Sequence, residues 1–228
     1  MAVFGALGDI HGDFASARRI MTRHADVPFW LCVGDVADDD GRYESLPAAL
    51  YWIKGNNENF DAIASGDLPS SLHFLTNGQL STIGDALRVA ALGGTFAPTV
   101  YETPPSELPH PKKSSAKATA VADRRRHFVR AEVDACRALR DVDVFMTHEA
   151  ARPYFAGSGP RRNDAGKTPI NEVLTAMQPR LHLFGHHHRF SEERRQGVRS
   201  VGLDLVGRSY ILIDARSLDL ELRQTDSV

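Results

Sequence analysis

An α/β fold is the class this sequence predicts, and two features carry the prediction. Short apolar runs at 3–7, 29–33, 50–54, 142–146 and 181–184 have the length and composition of strands, with longer segments between them. Each run also ends in a polar cluster: Gly8-Asp9-Ile10-His11-Gly12, Gly34-Asp35-Val36-Ala37-Asp38, Gly55-Asn56-Asn57-Glu58, Thr147-His148-Glu149 and Gly185-His186-His187-His188. Strand ends in an open α/β sheet converge on one edge, where ligands and active sites sit.

The elements follow in order. After the run 3–7, Phe14, Ala17, Arg18 and Met21 fall at helical spacing. The run 29–33 is apolar throughout, as a strand covered on both faces must be, and Cys32 within it reads as a packing residue. A short helix over 59–64 completes a third α/β unit. Residues 72–93 read as a β-meander, because Asn77-Gly78 and Gly84-Asp85 separate three apolar stretches and both dipeptides favour hairpin turns. Residues 97–122 hold Pro98, Pro104, Pro105, Pro109 and Pro111, then Lys112-Lys113-Ser114-Ser115, and read as a mobile basic insertion. A helix over 118–139 carries Arg124-Arg125-Arg126 and precedes the strand that delivers His148. A glycine-rich loop at 152–167 leads to Thr168-Pro169, read as an N-cap followed by proline at the first helical position, with the helix running to 177. Strands at 198–203, 210–213 and 218–222 close the chain, and no internal repeat is evident.

Composition narrows the class further. A length of 228 residues with 42% hydrophobic and 25% charged residues suits one soluble domain, 1–228, with a large core. The net charge of −2 excludes a strong global attraction to nucleic acid or an anionic membrane. No run approaches the ~20 apolar residues of a membrane span, and residues 1–7 lack the basic start of a signal peptide. Cys32 and Cys136 are the only cysteines, so a disulfide framework is excluded and a cytoplasmic setting is expected.

The clusters carry the chemistry. Asp9 and His11 lie two apart, which turns both side chains the same way, between glycines that allow a tight turn. Asp35 has two carboxylate oxygens and can serve two cations at once. Asp38, Asp39 and Asp40 read as a solvated acidic loop. Among three adjacent histidines, His186 and His188 can face one pocket while His187 turns away. His148 adds a further imidazole after its strand.

In order, these blocks match the signature of the calcineurin-like metallophosphoesterases: Asp-x-His, Gly-Asp-x-x-Asp, Gly-Asn-His-Asp/Glu, a later His, and Gly-His-x-His. The chain resembles that superfamily from residue 8 to residue 188. The resemblance implies a four-layer αββα sandwich with two mixed β-sheets, the metallo-dependent phosphatase-like fold. It implies one metal on Asp9, His11, Asp35 and His188 and a second on Asp35, Asn56, His148 and His186, with Asp35 shared. It also implies a hydroxide bridging the cations that attacks phosphorus. Nitrogen and oxygen ligands suit Mn²⁺, Fe or Zn²⁺. Glu58 and Glu149 are expected to brace the site.

One position departs from the signature. The family carries His where this chain has Asn57, and that His contacts the phosphate and protonates the leaving oxygen. Asn57 can orient phosphate by a hydrogen bond but cannot supply a proton. The expectation is therefore a phosphodiesterase, or another esterase with a good leaving group. His110, His127 or a substrate group could supply the missing proton. Two rival functions stay open: a metal- and phosphate-binding regulatory module, and a nuclease acting through the basic residues from Lys112 to Arg130. Residues 93–130 are also loosely similar to the loop region of RNA lariat debranching enzymes, through Gly93-Gly94, Tyr101-Glu102-Thr103-Pro104-Pro105 and Arg126-His127-Phe128-Val129-Arg130. The expected partner is a phosphorylated small molecule or a phosphodiester, with nucleic acid as a further candidate and no membrane.

Overall fold

The computed structural model describes residues 3–108, 123–155 and 163–225. Two six-stranded mixed sheets face each other, with helices on the outer side of each. The first sheet contains β1 (Val3–Leu7), β2 (Phe29–Cys32), β3 (Ala49–Trp52), β4 (Leu72–Phe74), β13 (Ser209–Asp214) and β14 (Leu220–Gln224), in the order β14-β13-β1-β2-β3-β4. The second contains β5 (Leu80–Ile83), β6 (Leu87–Leu92), β9 (Val144–Thr147), β10 (Leu181–Phe184), β11 (Ser191–Arg195) and β12 (Val198–Gly202), in the order β11-β12-β10-β9-β6-β5. A short parallel pair, β7 (Thr95–Phe96) and β8 (His127–Phe128), stands apart. The helices are α1 (Phe14–Arg23), α2 (Phe60–Ser65), α3 (Arg130–Ala138) and α4 (Thr168–Met177).

Side-chain alternation builds the layers. In a strand, successive side chains face opposite sides. Phe4 and Ala6, Leu31, Val89 and Ala91, Val144 and Met146, Leu181 and Leu183, and Ile211 and Ile213 all enter the core between the sheets. Their neighbours Leu7, Trp30 and Tyr210 turn outward onto α1, while Ala90, Leu92 and Phe145 turn outward under α3 and α4. Both faces of the central strands are thus buried, which is why their sequences are apolar throughout. β1 to β4 run parallel in one sheet, and β6, β9, β10 and β12 run parallel in the other.

Three expectations need correction. The stretch 72–93 is not a meander: β4 pairs with β3 in the first sheet, while β5 and β6 form a hairpin in the second. Gly84-Asp85 does lie in the hairpin turn, but Asn77-Gly78 lies where the chain crosses between sheets. There the Asn77 side chain pairs with both Gly93 N and Gly93 O, at 2.6 and 3.0 Å. The expected helix over 118–139 begins only at Arg130; a 3₁₀ turn at Arg124–Arg126 and β8 precede it. Phe128 and Val129 are fully buried, so tertiary packing holds that segment extended against its helical propensity. In α4, Thr168 is itself helical and Lys167 occupies the cap. Of the insertion at 97–122, Val100 and Leu108 pack on Val129; residues 109–122, with His110, Lys112 and Lys113, lie outside the described residues. Among the described residues no helix is long and apolar enough to cross a membrane.

Candidate metal centre

The parallel strands of both sheets deliver the polar clusters to one edge. Cross-links then draw the two sheets together there. The Nδ1–H of His148, which follows β9, donates to Val33 O at 2.8 Å. His186 N, which follows β10, donates to both oxygens of Asp9 at 3.1 Å. Gly94 N, which follows β6, donates to Lys54 O at 2.6 Å. Within the first sheet, Ile10 N and His11 N both donate to Asp35 O.

All seven candidate ligands meet. Asp9, His11 and His188 form one group and Asp35, His148 and His186 another, each with ligand atoms within 4.8 Å of one another. His188 Nε2 is 3.1 Å from Asp9 Oδ2, and His11 Nε2 is 3.2 Å from His188 Nε2. Asp35 Oδ2 lies between the groups, 3.5 Å from His11 Nε2 and 3.6 Å from His148 Nε2. Asn56 Oδ1 sits 3.1 Å from His148 Nε2. Asp9 and Asp35 are each 1% exposed, so water does not compensate their charge.

This donor set fits divalent cations. The Val33 carbonyl takes the Nδ1 proton of His148, so Nε2 is the nitrogen turned toward Asn56 Oδ1 and Asp35 Oδ2. The nitrogens of His11 and His188 likewise meet head to head beside Asp9. Convergent acceptors repel unless a positive charge lies between them. The titration behaviour says the same. Burial alone would lower the His148 pKa, yet the hydrogen bond to Asp35 and the charges of Asp9 and Asp35 outweigh it and push it up to about 9. Burial opposes ionisation of Asp35, yet bonds from His148 and the Asn57 amide hold it well below the usual carboxylate range. His186 goes the other way: burial, then the charge of His148, takes it down to about 4.

The backbone is strained to make this set. His11, Asp35, His186 and His188 all adopt positive φ, at 46°, 51°, 66° and 47°. Only four other non-glycine residues among those described do so. Such conformations cost of order ~1 kcal/mol each and cluster at functional sites. Glycine clears the space around them: a Cβ on Gly55 would stand 2.0 Å from Asp35 Oδ1, and one on Gly185 would stand 2.3 Å from Asp9 Oδ1.

The remaining residues divide by place. Asn57 is exposed at the rim; its N donates to Asp35 Oδ1 at 2.8 Å and its Nδ2 to Asp35 Oδ2 at 3.0 Å. Glu58 turns away from the metal groups and accepts from Val36 N, Ala37 N, Gly55 N and the Tyr43 hydroxyl. Burial and the charge of Asp35 push its pKa up to about 7. Glu149 accepts from Phe96 N at 2.5 Å and pairs with Lys167 at 3.3 Å. His187 stacks on Tyr154, with ring centroids 4.3 Å apart. Asp39 and Asp40 are exposed, while Asp38 closes its loop by accepting from Asp40 N and Arg42 N. Two supports escape the sequence reading. Tyr43 clamps Glu58. Lys54 is buried at the end of its strand and donates to Arg125 O and His127 O at 2.9 and 3.0 Å. Lysine ending an apolar run, just before Gly55-Asn56, was the available signal for the second.

A sandwich of two mixed sheets with paired carboxylate–imidazole groups at its strand ends defines the architecture of a metallophosphoesterase. The family profile described as calcineurin-like phosphoesterase matches residues 2–190, and the chain belongs to that family. Similar solved structures include one crystal structure at 12% identity, with a TM-score of 0.69, covering 98% of this chain and 99% of that one. TT1561 of Thermus thermophilus aligns at 14% identity and a TM-score of 0.64, with 98% and 99% covered. The phosphopantetheinyl hydrolase PptH from Mycobacterium tuberculosis aligns at 15% identity and a TM-score of 0.52, with 90% of each chain covered. At these identities the likeness is one of fold. No curated protein sequence matches the chain.

Proposed function

We propose that this chain is a binuclear metal-dependent phosphoesterase acting on phosphodiesters or other substrates with a good leaving group. The observation that carries the reading is the pair of ligand groups with Asp35 Oδ2 within 3.6 Å of an imidazole from each. Asp9, His11 and His188 would hold one cation, and Asn56, His148 and His186 the other, with Asp35 common to both. Divalent ions there supply positive charge for the phosphoryl oxygens and acidify water, lowering its pKa from 15.7 to about 7, a saving of ~12 kcal/mol in deprotonation. Mn²⁺, Fe and Zn²⁺ all suit the donor set.

The chain's own residues set the substrate preference. Asn57, exposed beside Asp35, offers its amide N–H to a phosphoryl oxygen and holds the ester in register. It transfers no proton, so the leaving oxygen departs unassisted from this position. A general acid typically contributes ~10²–10⁴-fold, or ~3–5 kcal/mol. Losing that contribution hurts poor leaving groups most, which favours a diester with an acidic leaving group. The rival reading, a binding module without turnover, rests on the same residue.

The test uses Mn²⁺-loaded protein with bis-p-nitrophenyl phosphate, p-nitrophenyl phosphate and an alkyl phosphate. The phosphoesterase reading expects turnover of the diester above the monoester, and Asn57→His raising the rate on the alkyl ester by about 10²-fold. Two bound metals with no turnover of any ester, in wild type and in Asn57→His alike, would leave the binding module.

A further inference from the structure

The edge of the second sheet away from the candidate metal centre holds a cleft of about 330 Å³, whose lining includes Gln178, Arg180, Arg194, Arg199, Ser217 and Leu218. The metal ligands His148 and His186 follow β9 and β10, whereas Arg180 immediately precedes β10 and Arg199 lies at the start of β12, which runs parallel to β10. Three segments close the cleft: the link from α4 into β10, the β11–β12 hairpin, and the turn between β13 and β14. Gln178 donates to Gln196 O at 3.1 Å, Arg180 Nη2 to Arg216 O, and Arg199 Nη1 to Leu218 O at 3.0 Å. The last two bonds straddle Ser217, so they hold the Arg180 and Arg199 guanidiniums on either side of one residue.

Charge in this cleft has one sign. Among the described residues, its ionisable lining is Arg180, Arg194 and Arg199, with no carboxylate. Arg194 and Arg199 are direct cross-strand partners in the β11–β12 hairpin, and like charges set opposite one another destabilise a sheet. Arg180 and Arg199 are partly offset from outside the cleft, by Asp143 at 2.9 Å and Glu192 at 2.7 Å. Glu192, Glu193 and Asp219 line a neighbouring groove that shares Arg194 and Arg199, and Glu193 there pairs with Arg195. Among the described residues Arg194 pairs with no carboxylate; its Nη1 donates to Gly197 O at 3.1 Å. A guanidinium carries five N–H donors. Arg194 therefore keeps Nε and Nη2, and Arg199, which spends Nε on Glu192 and Nη1 on Leu218 O, keeps Nη2. Solvent reaches all three side chains: Arg180 is 50% exposed, Arg199 28%, and Arg194 is exposed.

We propose that Arg180, Arg194 and Arg199 form a binding site for a phosphate dianion at the edge opposite the candidate metal centre. This site goes beyond the phosphoesterase reading and does not depend on it. A flat carboxylate presents two oxygens and meets one guanidinium fork. A phosphate group carries nearly two charges and three acceptor oxygens aimed in different directions, which suits guanidiniums arriving from separate segments. It would also relieve the repulsion between Arg194 and Arg199. At about 330 Å³ the cleft falls at the small end of ligand sites, ~300–1,000 Å³, with room for free phosphate or a small phosphomonoester.

Calorimetry tests it on the full chain, both Mn²⁺-loaded and chelator-treated then desalted, with inorganic phosphate, glycerol 2-phosphate and acetate as titrants. Wild type should bind both phosphates in either metal state, because this site needs no metal, whereas binding at the metal centre is lost with the ions. Arg194→Met should weaken the metal-independent binding by ~10-fold or more, the scale of one charge-assisted contact, and Arg194→Lys should keep part of it. Arg18→Met removes the same charge from α1, on the other sheet, and should change nothing. Tighter binding of glycerol 2-phosphate than of inorganic phosphate assigns the site to a phosphomonoester, and the reverse to the free ion; either supports the site. No metal-independent binding in wild type, acetate binding as tightly as phosphate, or binding that Arg194→Met leaves intact or weakens no more than Arg18→Met overturns it. None of these outcomes bears on turnover at the metal centre, so the two readings fail separately.

Discussion

Replacing Gly55 by alanine should empty the metal centre while leaving the sandwich folded. The new Cβ would lie 2.0 Å from Asp35 Oδ1 and 2.4 Å from Asp35 N. Ordinary contact begins at 3.4 Å, so the carboxylate must retreat by 3.4 − 2.0 = 1.4 Å. The backbone contact blocks easy relief, because Asp35 already sits at φ 51° and its N is fixed in the turn. Overpacking of this kind costs ~1–3 kcal/mol in stability. The effect on metal binding is larger, because Asp35 serves both groups: affinity should fall by ~10²-fold or more at each. The assay is elemental analysis of desalted Mn²⁺-loaded protein alongside urea unfolding. Wild type should retain two metals per chain and Gly55→Ala almost none. Gly66→Ala is the control for a strained glycine replacement without a clash. Unlike Gly55 it has positive φ, 74°, and nothing lies within 4 Å of its Cβ. It should lose ~1–2 kcal/mol of stability and no metal. Gly55→Ala protein that keeps both metals would refute the placement of Asp35 between them.

Two further outcomes test the scaffold. His182 is fully buried, with Nδ1 3.0 Å from Ser200 Oγ and Nε2 2.8 Å from Thr147 Oγ1. Burial takes its pKa down to about 3, so the unfolded chain binds a proton that the fold refuses; stability is full above pH 6.5 and declines as pH falls from there toward 3. Between pH 7.5 and 5.0, chelator-treated wild type should lose ~2 kcal/mol more than His182→Gln in urea unfolding; equal losses would contradict it. Lys54→Met should strand the carbonyls of Arg125 and His127 at ~1–3 kcal/mol. Hydrogen exchange across residues 123–130 should then quicken relative to the β9 and β10 strands, and unchanged exchange would show that Lys54 is not the latch.

Much of the site was legible because parallel strands repeat one geometry. Five apolar runs each place the following residues at the same edge, so Asp9, Asp35, Asn56, His148 and His186 could be grouped without knowing which strands pair. Pairing itself was not legible. Asn77-Gly78 and Gly84-Asp85 have the same turn chemistry, yet one bridges two sheets and the other closes a hairpin; only the partners of Asn77, Gly93 and Glu132, separate them. β11, with the sequence Ser-Glu-Glu-Arg-Arg, is an exposed edge strand and has no apolar face to reveal it. The extended segment at His127–Phe128 was hidden behind helix-favouring neighbours, because the burial of Phe128 that decides it is tertiary.

The central claim is that two cations share Asp35. Anomalous diffraction from crystals grown with Mn²⁺ tests it most directly. The account predicts two peaks a few ångströms apart, one against Asp9, His11 and His188, the other against Asn56, His148 and His186, with Asp35 touching both. A single peak that leaves Asp35 uncoordinated, or no peak at this edge in manganese-saturated crystals, would contradict it.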